Sequence, residues 1–222
     1  MTEKTPDAAK KKKKKRLIVV LCAVTLLAAV SWVLTTFPNL FAGGKKNSGV
    51  TTMYSDRNIS YLFYESDYDL DPTTDEDYMQ MDRQLWYKKG NLAIGGELDE
   101  SAWIDYNAAV RFFARYFSAA IAGDAETYNG FFTDRYYRDK KPYERFAPQR
   151  IYDMHVEELS ETVNNDGSTV WMFNVEYRIM KNDGSFRNDI PSDGSKKLLF
   201  TLIGGADGIV RIDAIDYYRR AN

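Results

Sequence analysis

A single histidine, His155, and a single cysteine, Cys22, narrow the chemistry this chain can perform. A nucleophilic thiol needs a base beside it, and Cys22 sits inside an unbroken apolar run from Leu17 to Leu34. One histidine and one such cysteine cannot assemble a zinc site from the usual ligands. No G-x-S-x-G, Walker A or G-x-G-x-x-G pattern occurs, so neither a nucleophile elbow nor a phosphate-cradling loop is signalled. Gly204-Gly205-Ala206-Asp207-Gly208 is glycine-rich but joins two expected strands, so it reads as a turn. Asp67, Asp69 and Asp71 have the spacing that opens a calcium loop. The sixth loop position is Pro72, where glycine makes the turn, and the twelfth is Tyr78, where a bidentate glutamate belongs. These carboxylates therefore read as a solvated acidic loop. No metal or cofactor is expected, and the chain is not expected to be an enzyme.

Aromatic side chains are the other chemically distinctive set, with 16 Tyr and 12 Phe. Tyr61, Phe63, Tyr68 and Tyr78 fall in an acidic stretch with no obvious core of its own. Tyrosine-rich surface is characteristic of interfaces, so these four are candidate interaction residues, with packing onto a sheet as the competing reading.

The elements that must position these residues begin with the N-terminal 37. Lys10 to Arg16 is an unbroken basic block, followed by the apolar run. Eighteen residues at ~1.5 Å rise approach the ~30 Å of a bilayer's hydrocarbon layer. Thr35 to Phe37 extend the run and Pro38 ends it. Residues 1–16 then form a basic cytoplasmic tail and 17–37 a single-pass transmembrane helix in the cell membrane, with the bilayer as a partner and the C-terminal domain extracytoplasmic. A cleaved signal peptide is the competing reading. The run is longer than its usual ~7–15 residues, and no A-x-A follows. Residues 1–16 carry eight Lys+Arg against two Asp+Glu, leaving 22 against 30 beyond them. The acidic remainder is not built to bind nucleic acid.

Residues 38–52 read as a flexible tether and 53–100 as an acidic, aromatic-rich section, within which Gln84 to Leu98 forms a hairpin turning at Lys89-Gly90-Asn91. From 101 to 222 the pattern is α+β. Trp103, Tyr106, Val110, Phe113, Phe117 and Ala120 recur at helical intervals after an N-cap at Asp99. Gly123 ends that helix and Asp124 caps a second one, running to about Tyr137. From Ile151 the period becomes two, most clearly over Trp171, Phe173, Val175, Tyr177 and Ile179. Four strands are expected, the last with a bulge near Asp213-Ala214, where its inward phase slips.

This order, carried by Phe112 to Tyr137 and the strands from Ile151 to Tyr218, resembles the nuclear-transport-factor-2-like (cystatin-like) cone superfamily. Among anchored members it looks like the scaffold subunits of type IV secretion and conjugation machines. The Asn-Pro-x-Gly turn of the Gram-negative subunits is absent here. The resemblance implies helices packed on a curved antiparallel sheet of about four strands, enclosing a cavity. Tyr128, Phe132, His155, Trp171 and Phe173 are the candidate pocket residues. Cone-fold isomerases and dehydratases place Asp, His and Tyr in that cavity. Asp153, His155 and Tyr177 could be drawn so, though nothing in the sequence singles them out. The expected function is non-catalytic interaction or assembly, through self-association or other envelope proteins. The alternative is small-molecule binding in the cavity. An open pocket with converging polar groups favours the second, and an apolar cavity closed by side chains the first.

Overall fold

Thr169–Met180 is a strand whose inward side chains, Trp171, Phe173, Val175, Tyr177 and Ile179, are all buried, as their alternation requires. The structure, a computed structural model, describes residues 50–56, 59–205 and 208–217. Its strands are β1 (Val50–Asp56), β2 (Ile59–Tyr64), β3 (Leu85–Lys89), β4 (Leu92–Gly96), β5 (Arg150–Val163), β6 (Thr169–Met180), β7 (Leu198–Gly204) and β8 (Val210–Tyr217). The helices are α1 (Glu76–Met79), α2 (Ala108–Ala122) and α3 (Ala125–Asn129). β1 and β2 pair with each other, and the main sheet has the order β4-β3-β5-β6-β7-β8.

That order corrects the expected antiparallel sheet of about four strands. The sheet has six strands and is mixed. The two additions are the hairpin turning at Gly90-Asn91, where Gly90 takes φ +58°. β3 lies parallel to β5, with Leu85 beside Met154 and Lys89 beside Glu158. The local pattern of a hairpin marks the turn but not the distant strand its outer edge will meet.

The membrane assignment is corrected as well. Among the described residues no helix is long and apolar enough to cross a membrane. α2 has 15 residues, about 22 Å at ~1.5 Å each, and carries Arg111 and Arg115. The expected span, residues 17–37, lies outside the described residues, as do the basic tail and most of the tether. The membrane and single-pass assignments therefore find no support in the fold.

α2 also starts later than its hydrophobic spacing predicts. Asp99 caps a 3₁₀ turn, Glu100–Trp103, through Ser101 N at 3.0 Å. Trp103 is drawn out of helical register because its indole N–H donates to Glu97 O at 2.8 Å. Asn107 is the real N-cap, accepting from Val110 N at 3.0 Å. Gly123 ends α2 at φ +70°, where a Cβ would lie 2.8 Å from Pro148 N. Asp124 caps α3 through Thr127 N, but α3 stops at Asn129 and only a 3₁₀ turn, Tyr136–Arg138, follows.

α2 packs across the inner face of the sheet. Phe113 meets Phe173 at 5.0 Å and Phe200 at 5.7 Å between ring centroids, and Phe117 meets Tyr177 at 5.3 Å. Two bulges shape that face. Asp153 takes φ +53° where the β5–β6 register shifts, so Ile151 and Met154 both point inward and His155 outward. Asp213 is the extra residue where Thr201 pairs with Ala214 and Leu202 with Ile212, the slip expected from the sequence. Its buried carboxylate accepts from Thr133 Oγ1 at 3.0 Å and pairs with Arg135 at 2.9 Å, holding the segment after α3 against the sheet edge.

The acidic section is tied to the sheet. Asp75 caps α1, accepting from Tyr78 N, and pairs with Arg150 at 2.8 Å and Lys181 at 2.7 Å. Tyr78 Oη donates to Ile151 O at 2.8 Å. Burial raises the Asp75 pKa, but the Lys181 hydrogen bond, the Tyr78 N–H and the two cations together hold it below the usual carboxylate range. A depressed carboxylate adds stability above its unfolded pKa and loses it as pH falls through the folded value. Asp75→Asn is therefore expected to lower stability at neutral pH and to flatten the loss between about pH 5 and about pH 3. Urea unfolding of both proteins across that range checks this; parallel curves would refute it.

Candidate functional site

Where β6 ends and β7 begins, the inner face of the sheet is not filled by α2. The gap is a cavity of about 240 Å³, opening to solvent beside Lys140 and Lys141. Its walls come from α2 (Tyr116), α3 (Tyr128), the segment after it (Phe132, Tyr136, Tyr137), β6 (Tyr177) and the sheet edge (Leu198, Ile215). The β6–β7 loop closes the last side with Phe186, Arg187 and Asp189.

The aromatic walls are mutually braced. Tyr128 sits 5.2 Å from Phe132, 5.7 Å from Tyr143 and 5.2 Å from Phe186 between ring centroids. Their hydroxyls are largely committed to the frame. Tyr116 and Tyr128 share a hydrogen bond at 3.0 Å, Tyr137 donates to Asn129 O at 2.8 Å, and Tyr143 donates to Phe186 O at 2.6 Å. Burial pushes the Tyr116 and Tyr128 phenols well above their ordinary pKa, and that of Tyr136 to about 12. The cavity therefore presents neutral phenols at physiological pH.

The loop is held in place by Asn182, which is fully buried. Its Nδ2 donates to Arg187 O and Ile190 O, both at 2.9 Å, and its Oδ1 accepts from Gly184 N at 3.0 Å. This turns Arg187 inward, leaving it 8 % exposed. The guanidinium forms a bidentate pair with Asp189, Nε to Oδ1 at 2.8 Å and Nη2 to Oδ2 at 2.7 Å, and lies 5.3 Å from the Tyr177 ring centroid. Lys196 reaches Asp189 Oδ2 at 3.2 Å. Burial raises the Asp189 pKa, but Arg187 and Lys196 together hold it below the usual carboxylate value. The buried Tyr177 hydroxyl lies within hydrogen-bonding reach of the Arg187 guanidinium.

The sequence-derived pocket residues divide. Tyr128 and Phe132 line the cavity. Trp171 and Phe173 are core: Trp171 packs over Gly204, where a Cβ would come within 2.8 Å of the indole, and Phe173 packs on Phe113. His155 lies on the outer face, bonded to Asp153 at 2.8 Å and stacked on Trp86 at 6.5 Å, beside a second hollow with Glu176 and Lys197. Tyr177 points inward, so Asp153, His155 and Tyr177 cannot act on one substrate. The contact candidates also divide. Phe63 and Tyr78 are buried, Tyr61 is half-buried, and Tyr68 is exposed, with the Arg145 guanidinium 3.9 Å from its ring centroid. Asp71 caps the turn at Pro72–Thr74 through Thr73 N, and among the described residues no group of three or more His, Cys, Asp or Glu could hold a metal ion.

Sequence reasoning missed Arg187, Asp189, Tyr136 and Tyr143. A charged loop residue looks solvated in sequence, and the one available signal was an unusually long β6–β7 connection containing Phe186. Comparison of the chain with protein-family models, with curated proteins and with solved structures finds no match.

Proposed function

We propose that this domain is a non-catalytic binding module that holds a small molecule in the tyrosine-walled cavity. The observation that carries the reading is an open cavity on which polar groups converge from a frame braced by its own hydrogen bonds. Its volume of about 240 Å³ lies just below the ~300–1,000 Å³ typical of drug-sized ligand sites, so the ligand is small. Bracing matters because a pre-formed pocket loses little side-chain freedom on binding. No acid–base pair faces the cavity in a reactive arrangement: the one histidine is on the other side of the sheet, and Asp189 is held between two cations.

Ile215→Trp tests this, since Ile215 is half-buried at the cavity wall and a larger side chain there occupies the space. Small aromatic acids and amides screened by ligand-observed NMR against the full-length chain are expected to bind the parent, and to weaken at least about tenfold in the variant. Equal binding by both would remove the cavity as the site. If crosslinking instead traps defined oligomers that disappear with Tyr68→Ala, self-association is the better reading.

A further inference from the structure

We propose that the cavity takes a small organic anion, a carboxylate on a flat apolar body, which Arg187 reads in competition with its resident counter-ion Asp189. This rests on the cavity being a binding site.

Charge is the first argument. Arg187, Lys140 and Lys141 line the cavity against a single carboxylate, Asp189, and Lys196 adds a further cation beside that carboxylate. The chain beyond residue 16 is acidic, with 22 Lys+Arg against 30 Asp+Glu. A cluster of cations gathered there around a hollow, one of them pulled inside, runs against the background.

The hydrogen-bond inventory is the second. Both Asp189 oxygens are engaged by Arg187 and Lys196, and Asn129 Oδ1 by Tyr143 N at 3.0 Å. Arg187 and the buried Tyr177 hydroxyl are within hydrogen-bonding reach of each other in the wall. A ligand that supplies acceptors is complementary to the cations gathered here, and a planar carboxylate matches the guanidinium fork. Phe132, Phe186, Leu198 and Ile215 present apolar surface for the rest of the molecule.

Asp189 gives the proposal its test. It occupies the two guanidinium positions that a ligand carboxylate would compete for, so the two residues should respond in opposite directions. The probes are phenylacetate and its neutral isostere phenylacetamide, titrated into the full-length chain with methyl-labelled Leu198 and Ile215. Phenylacetate is expected to bind about tenfold tighter or more. Arg187→Met should abolish that preference and Asp189→Asn should widen it. Lys140→Gln/Lys141→Gln changes only exposed side chains. It should weaken phenylacetate about two- to fivefold, weaken its salt dependence, and leave phenylacetamide unchanged. Equal affinity for the two probes overturns the anion assignment and leaves the cavity reading standing, as does Asp189→Asn weakening phenylacetate as Arg187→Met does. If neither probe moves the Leu198 and Ile215 methyl signals, the anion assignment and the cavity reading fall together.

Discussion

Asn182→Ala is expected to lower folding stability by about 3–5 kcal/mol and to abolish ligand binding in the cavity. The side chain is fully buried and bonds three backbone groups of its own loop: the carbonyls of Arg187 and Ile190 and the N–H of Gly184. Alanine leaves all three without partners, and each stranded buried group costs about 1–3 kcal/mol. The loss is coupled to function because the same bonds turn Arg187 and Phe186 toward the cavity. Asn182 also supports the β1–β2 hairpin, since Tyr64 N donates to its backbone oxygen at 3.0 Å, and that bond survives the substitution. Urea unfolding of the full-length chain, with phenylacetate titration below the transition, reads both effects. A stability change under about 1 kcal/mol would place Asn182 among ordinary surface positions and refute the clamp.

Glu158→Ala should cost a comparable amount, about 3 kcal/mol or more, for a different reason. Glu158 is a carboxylate on the inner side of β5, with its side chain 2 % exposed. It accepts from Tyr87 Oη at 2.7 Å and Asn107 Nδ2 at 3.1 Å, and pairs with Lys89 Nζ at 2.6 Å. One side chain thereby joins the β3–β4 hairpin and the α2 N-cap to β5. Removing it strands the Tyr87 hydroxyl, whose pKa burial and the neighbouring carboxylate already push upward. Glu158→Gln keeps an acceptor for Tyr87 and Asn107 but gives up the charge facing Lys89, so its loss should be roughly half as large. A double-mutant cycle with Tyr87→Phe should return a coupling of about 1 kcal/mol or more, and additivity would sink the shared-hub account.

The two substitutions mark where sequence reading stops. The strand over Trp171 to Ile179, the glycine stop at Gly123, the hairpin at Gly90-Asn91 and the bulge at Asp213 were all legible, because each depends on residues within a few positions of one another. The false start of α2 was not. Trp103 and Tyr106 fall at helical spacing, and the indole bond to Glu97 O that removes Trp103 from the helix is a matter of packing. The cavity was legible only in Tyr128, Phe132 and Tyr177.

By itself, then, the sequence determined the local devices: the alternation that buries one face of each long strand, the hairpin turn at Gly90-Asn91 and the glycine stop at Gly123. Tertiary structure decided the sheet's edge, its parallel β3–β5 pairing and its six strands. The alternation of Met154 and Val156 with His155 already put the histidine on the polar face; the Asp153 bulge decided that Ile151 joins Met154 on the inner one. Tertiary structure decided the site as well: Arg187 becomes a cavity residue because Asn182 closes the loop over it and Asp189 supplies its counter-charge. Periodicity reports which side of an element is apolar. It carries no information on which distant element will cover that side, and a buried charge is tolerated only where such a partner arrives.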